Sequence, residues 1–311
     1  MPYAVGSCRR TAVQAAGYAP CDPGCPMQTV KDVLLKTAGF LKDLQIPHTR
    51  KEAEELIGHV LGLTRVQVYL EFDRPLEKRE MDDIRELVRR RANREPLHWL
   101  LGTVGFHEFD DLAVHPDVLV PRPDTERLVE AALEWIEADA ETFVADIGCG
   151  TGAVGLAIAA ARPAVKLFAI DLSEAALANT RDNVARLELG GRVAVLQGSL
   201  LDPVPTGRAI DVVVSNPPYI RSADLETLEP EVSKWEPKLA LDGGPDGLDV
   251  YKALVPAAAA RARRAVLVEI GFDQGDAVRR LFEQAGLTDI EVLQDLGGRD
   301  RVVRGRVVSH G

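Results

Sequence analysis

Between Phe143 and Leu293 short apolar runs alternate with helix-length stretches, and few folds accommodate that pattern. Phe143–Ile147, Leu167–Ile170, Val193–Leu196, Val212–Val214 and Ala265–Glu269 read as strands. Ala153–Ala161, Glu174–Leu187, Val250–Ala262 and Gln274–Ala285 read as helices. The strands are near-continuously apolar, which suits a sheet covered on both faces. Repeated strand–helix alternation predicts a parallel, doubly wound α/β sheet over residues 125–311. At its end, Ile290–Leu293 and Arg301–Val308 flank Gly297-Gly298 and predict a closing antiparallel pair.

The chain before Thr125 is of another kind. Val30, Val33, Leu34, Ala38, Leu41 and Leu44 recur at helical spacing. Thr49-Arg-Lys-Glu52 reads as a capping box, opening a helix with Ala53, Leu56, Ile57, Val60 and Leu61 on one face. A third helical stretch after Pro75 carries Met81, Ile84, Leu87 and Val88. Residues 27–95 are expected to form a small all-helical domain, with the run Arg89-Arg90-Arg91 as a solvated helix face. Residues 96–124, with Gly102, Gly105 and apolar Leu112, Val114, Val118 and Val120, predict a β-hairpin linker. Residues 1–26 lack either period and read as a disordered leader or, with Met27 as the true start, an upstream codon assigned in error.

Composition closes off some functions. The net charge of −11 argues against a general nucleic-acid binder, since phosphate contacts need excess Lys and Arg. No apolar run is long enough to span a membrane. The cysteines, Cys8, Cys21, Cys25 and Cys149, lack the paired spacing of a zinc site, so no metal is expected. His48, His107 and His115 likewise have no ligand spacing, and Trp99, Trp135 and Trp235 read as packing groups.

Asp146-Ile-Gly148-Cys149-Gly150-Thr151-Gly152 lies between a predicted strand and a predicted helix. Glycines there let the backbone turn sharply and approach a ligand at the carboxyl end of the strand. Asp171 ends the next strand, where an acid accepts hydrogen bonds from ribose hydroxyls. Gly150-Thr-Gly-Ala-Val-Gly155 also fits a dinucleotide loop. Asp146 favours S-adenosylmethionine instead, because a carboxylate near the loop attracts an ammonium and repels a pyrophosphate.

The tetrapeptide Asn216-Pro217-Pro218-Tyr219 follows the apolar run Val212–Val214 and narrows the choice. Successive prolines fix the backbone and remove two donors, leaving carbonyls to accept. The Asn216 side-chain oxygen and the Pro217 carbonyl then offer two acceptors to one planar NH2 group, and Tyr219 offers a ring face. Asn216, Pro217 and Tyr219 are the expected catalytic group, with Pro218 completing the substrate contacts. The arrangement suits methyl transfer to a weakly nucleophilic amide or amino nitrogen.

With these motifs in place, the chain from Met27 onward resembles the protein-(glutamine) methyltransferases of the HemK/PrmC type. The resemblance rests also on Leu119-Val-Pro-Arg-Pro-Asp-Thr-Glu126, on Glu236–Tyr251, on Arg94-Glu-Pro-Leu97, on Gly102–Phe106, on Glu269-Ile-Gly271 and on Gly298–Val303. It implies a class I, Rossmann-like methyltransferase sheet. The implied reaction moves a methyl group from S-adenosylmethionine to the glutamine amide of the Gly-Gly-Gln loop in bacterial class I release factors, leaving S-adenosylhomocysteine. It places the cofactor on Asp146, Gly148 to Gly152, Asp171, Leu200 and Asn216, with Phe106 helping to enclose it. Ser199 and Leu200 stand where relatives commonly carry an acid and often an aromatic. The helical domain is expected to grip the factor, and the enzyme to act as a cytoplasmic monomer without a nucleic-acid substrate. The competing reading is a nucleic-acid amino-methyltransferase, acting on adenine N6 or rRNA guanine N2, which shares the tetrapeptide.

Overall fold

The structure, a computed structural model, describes residues 28–308, so the 1–26 segment lies outside the described residues. The chain divides between Asn93 and Arg94 into two compact units.

The first unit is helical: α1 (Val30–Asp43), α2 (Thr49–Leu61), α3 (Arg65–Leu70) and α4 (Lys78–Ala92). Its core is the apolar stripe of α1, α2 and α4, including Leu34, Leu41, Leu56, Ile57, Ile84 and Val88. Two details differ from the sequence expectation. The residue before α2 is His48 in a left-handed conformation with no side-chain cap, so Thr49-Arg-Lys-Glu52 is no capping box. Glu52 instead turns inward and accepts two hydrogen bonds from Arg91, at 2.7 and 3.1 Å. Arg91 is therefore buried, not part of a solvated face. Capping boxes stand instead at Thr29–Asp32, before α1, and at Thr64–Gln67, opening the short α3 that periodicity does not reveal.

The second unit begins with α5 (Leu97–Leu101) and a hairpin of β1 (Thr103–Phe106) and β2 (Phe109–Ala113). Then come α6 (Glu126–Leu133), β3 (Thr142–Ile147), α7 (Ala153–Ala161), β4 (Val165–Asp171), α8 (Glu174–Arg186), β5 (Val193–Gln197) and β6 (Ile210–Ser215). Next are α9 (Pro230–Trp235), α10 (Asp249–Arg261), β7 (Ala262–Glu269), α11 (Gly275–Gln284), β8 (Thr288–Gln294) and β9 (Asp300–Arg306). Seven strands form one sheet in the order β5-β4-β3-β6-β7-β9-β8. Pairs among the first five are parallel, and β9 is antiparallel to both β7 and β8. The expected α/β sheet with a terminal antiparallel pair is the fold observed.

Alternate residues of each strand serve opposite faces. Val212 and Val214 of β6 pack with Leu128 of α6, Leu156 of α7 and Leu177 of α8. Val213 between them packs with Leu254 of α10 and Phe282 of α11. Burying each such side chain contributes roughly 1.5–3 kcal/mol before entropy is counted. The sheet order reverses between β3 and β6, so the chain leaves these neighbours in opposite directions. A crevice forms at the carboxyl ends of strands at such a switch point.

Candidate active site

The glycine loop follows β3 and the tetrapeptide follows β6. Because Ile147 pairs with Ser215 in register, the two segments start side by side. Ile147 pairs also with Ile170, and Ser215 with Val268, which brings the ends of β4 and β7 to the same edge. Asp171 and Glu269 thus flank the loop and the tetrapeptide.

The loop is held by backbone and by α8. The N–H groups of Gly148 and Cys149 both donate to the Ile170 carbonyl, and the Gly150 N–H donates to Asp171 Oδ2 at 2.9 Å. Gly148, Gly150 and Gly152 have φ of 70°, 58° and 83°, a region costly for other residues. A Cβ on Gly148 or Gly150 would meet nothing within 4 Å, so these two turn their bare side toward open space. On Gly152 it would press on Leu156 and Thr180, the packed side of the loop. From α8, Thr180 donates to the Gly150 carbonyl and Asn183 to the Thr151 carbonyl, both at 2.9 Å. Asn179 and Asn183 also donate to the Ala113 carbonyl, and Asn183 Oδ1 accepts from the Ala113 N–H. One helix face therefore fastens the loop and the β1–β2 hairpin together. These three polar residues are buried, and the sequence reading missed them because isolated Asn and Thr on a helix carry no period of their own.

Several residues expected at the cofactor lie inside the framework. The Asp146 carboxylate is buried and accepts from the Gly155 N–H at 2.9 Å. Burial pushes its pKa up to about 7, and the nearby Asp171 charge adds to the shift. Cys149 is buried against Thr180, and burial raises its thiol as well. Thr151 and Phe106 are each 2% exposed, Phe106 packing in the same cluster as Cys149 and Ala153. Leu200 follows β5 with φ 49° and packs against the opposite core. Asp171, Gly148, Gly150 and Asn216 retain exposed surface.

The tetrapeptide is braced from three sides. Asn216 Nδ2 donates to Thr125 Oγ1 at 3.2 Å, which turns the amide oxygen away from that bond. Neither Asn216 Oδ1 nor the Pro217 carbonyl accepts a hydrogen bond from any described residue. Tyr219 sends its hydroxyl inward to Glu269 Oε1 at 3.2 Å. Its carbonyl accepts from Gln274, which also donates to the Gly247 carbonyl. Ile220 and Asp242 form a bridge, and the Gly243 N–H donates to the Ile220 carbonyl. A Cβ on Gly243 would lie 2.9 Å from the Pro218 carbonyl oxygen and Tyr219 Cα, and one on Gly247 2.5 Å from the Tyr219 carbonyl oxygen. The Asp242–Gly247 turn is glycine-rich because it lies on the tetrapeptide backbone.

The Leu119–Glu126 block has a physical role beyond its use as a marker. Arg122 pairs with Glu236 at 2.6 Å, and Glu236 also accepts from the Val120 N–H. Asp124 pairs with Arg301, Thr125 receives Asn216, and Glu126 accepts from the His107 N–H. The block joins the hairpin, the tetrapeptide and the segment before α10. Trp99 and Trp235 meet edge to face at 6.5 Å, as packing groups. His115 pairs with Asp182, and no group of three metal-ligating side chains occurs among the described residues.

A seven-stranded α/β sheet with a glycine loop after β3 and an Asn-Pro-Pro-Tyr after β6 defines a methyltransferase. The profile of the PrmC N-terminal domain matches residues 32–102, and that of the methyltransferase small domain matches residues 127–230. A release factor glutamine methyltransferase of Geobacter sulfurreducens is 43% identical over 281 residues, covering 90% of this chain and 97% of the relative. The enzyme of the same name from Caulobacter vibrioides is 40% identical, covering 85% of this chain and 92% of its own length. The hMettl16 catalytic domain, solved with the MAT2A 3'UTR hairpin 6, shares the fold at a TM-score of 0.52 and 13% identity, over 64% of this chain and 77% of that one. The chain belongs to the release factor glutamine methyltransferase family.

Proposed function

We propose that the protein transfers a methyl group from S-adenosylmethionine to the side-chain amide nitrogen of the Gly-Gly-Gln glutamine in bacterial class I release factors. The observation that carries this is the pair of unengaged acceptors, Asn216 Oδ1 and the Pro217 carbonyl, beside a glycine loop with an open face. The bare sides of Gly148 and Gly150 admit a cofactor, and Asp171 stands where ribose hydroxyls need an acceptor. The Asp171 carboxylate makes the loop surroundings negative, which suits a sulfonium and an ammonium better than a pyrophosphate. Leu200 and Phe106 serve as apolar support for that pocket, while Asp146, Cys149 and Thr151 act through the loop they shape.

S-adenosylmethionine, when bound, supplies an electrophilic methyl group. The chain's own residues supply orientation. An amide nitrogen is a poor nucleophile because its lone pair is delocalised. Asn216 Oδ1 and the Pro217 carbonyl accept hydrogen bonds from its two N–H groups, hold the NH2 plane, and favour the positive charge that develops as the N–C bond forms and the methyl–sulfur bond breaks. One of those protons is then released to solvent. Holding reactants in such an arrangement contributes on the order of 7–11 kcal/mol in favourable cases. The Tyr219 ring supports the flat amide from the side. The first, helical unit serves to grip the release factor, and the enzyme works as a cytoplasmic monomer without metal. No helix among the described residues is long and apolar enough to cross a membrane. The nucleic-acid alternative is not favoured, because the relatives that match most of the chain carry the release-factor name and the RNA-bound neighbour shares only the fold.

Labelled S-adenosylmethionine offered with a cognate release factor, and in parallel with tRNA, rRNA and DNA, tests this. Label is expected on the release factor and lost when its loop glutamine is replaced; label on nucleic acid would overturn the assignment. Asn216→Ala is expected to lower turnover at least about 100-fold, the scale of losing a positioned contact, while cofactor affinity stays within a few-fold. Unchanged turnover would remove Asn216 from its role.

A further inference from the structure

Glu269 ends β7 behind the tetrapeptide and is 1% exposed. A carboxylate this deep costs free energy unless it is paired and hydrogen-bonded. Its Oε1 accepts only the Tyr219 hydroxyl, at 3.2 Å, and its Oε2 has no hydrogen-bond partner among the described residues. Arg301 on β9 faces it, but the Arg301 guanidinium is engaged with Asp124, Asp295 and the Ile270 carbonyl. The Tyr251 hydroxyl of α10 goes to the Glu269 backbone carbonyl, at 2.7 Å, not to the carboxyl. The remaining neighbour is Thr125, whose hydroxyl stabilises the carboxylate without reaching full hydrogen-bond geometry. Thr125 Oγ1 accepts from Asn216, so its own proton is free to point to Glu269. The carboxyl thus lies behind both ends of the tetrapeptide, bonded to Tyr219 and adjoining the hydroxyl that holds Asn216.

We propose that Glu269 is a positioning residue for methyl transfer, fixing the Tyr219 ring directly and the Asn216 carboxamide through Thr125. A core carboxylate with no such task is replaceable by an apolar side chain, often with gain in stability. Glu269 has such a task in what it holds. The two side chains it orients are those the proposed reaction uses to present a planar NH2 group, so the inference rests on that reading of the site. Displacement of either by about an ångström is enough to lower turnover on the order of 100-fold.

The test is a mutant cycle on the full chain, measuring kcat, KM for the release factor and Kd for S-adenosylmethionine. Glu269→Ala is expected to lower kcat between about 10- and 100-fold, with KM and Kd within about three-fold. Glu269→Gln keeps an acceptor for Tyr219 and is expected to restore most of kcat. Tyr219→Phe removes the shared hydrogen bond, and the double variant with Glu269→Ala is expected to be no slower than Glu269→Ala alone. Losses that multiply, or a fall in Kd affinity that matches the fall in kcat, would overturn the proposal. A crystal structure of Glu269→Ala is the second readout: Tyr219 and Asn216 should shift, and unmoved side chains would overturn it whatever the activity. If the unaltered enzyme labels a nucleic acid instead of the release factor, the substrate assignment falls, and the same cycle on that acceptor still decides the role of Glu269.

Discussion

At the scale of single residues, two buried carboxyls set how stability responds to pH. Burial raises Asp146 and Glu269 each to about 7, against ordinary values of 3.8 and 4.5. Between about pH 4 and 7 the folded chain therefore binds protons that the unfolded chain has released. Stability contributed by these groups is full at low pH, falls as pH rises through that window, and is flat above it. Asp146→Asn keeps an acceptor for the Gly155 N–H and removes the charge. Denaturant titrations at pH 5 and pH 8 should show a smaller loss across the window in this variant than in the parent. An identical pH slope would mean that burial of Asp146 is not a source of the effect. The sequence placed Asp146 beside the cofactor for its charge; its hydrogen bond to the start of α7 was not legible, because side-chain direction in a loop is decided by packing.

At the scale of elements, the strands were the most legible part of the chain. β3, β6 and β7 are covered on both faces, so they read as continuous apolar runs, and α7 spans the residues its pattern predicted. α3 is not legible because it has only six residues and leaves Val66 and Leu70 exposed, giving no apolar stripe. Of the site, the two motifs were legible because glycine and proline constrain backbone directly. The braces behind them were not: Thr125, Glu236, Glu269 and Gln274 act across 50 to 114 residues of sequence separation or more, which no local pattern records. The Asp242–Gly247 turn shows the cost of such contacts. A methyl group added by Gly243→Ala meets backbone atoms at 2.9 Å that cannot rotate away. It should destabilise by about 1–3 kcal/mol, the range for an overpacked site, and lower methylation by more than the unfolded fraction explains. Full activity with unchanged stability would show that the turn yields.

At the scale of the molecule, the two units are stabilised by different means. The second rests on a sheet with two apolar faces, whereas the helical unit carries a charged pair, Glu52 and Arg91, inside its core. Removing one partner strands the other charge, so Glu52→Ala should cost about 3–5 kcal/mol. Faster amide hydrogen exchange in α2 and α4 would report that loss, and unaltered exchange there would mean that the pair is dispensable.

The pairing of Ile147 with Ser215 has a consequence for how such an enzyme can change. Neighbouring strands stand about 4.8 Å apart whatever their side chains, so the spacing between the donor and acceptor segments is inherited from the backbone ladder. The stretch from Ile220 to Leu248 is laid over that ladder and leans on the tetrapeptide backbone without setting the spacing. Only a slip of one strand's register would part the two segments, and such a slip would turn every side chain of that strand to the other face.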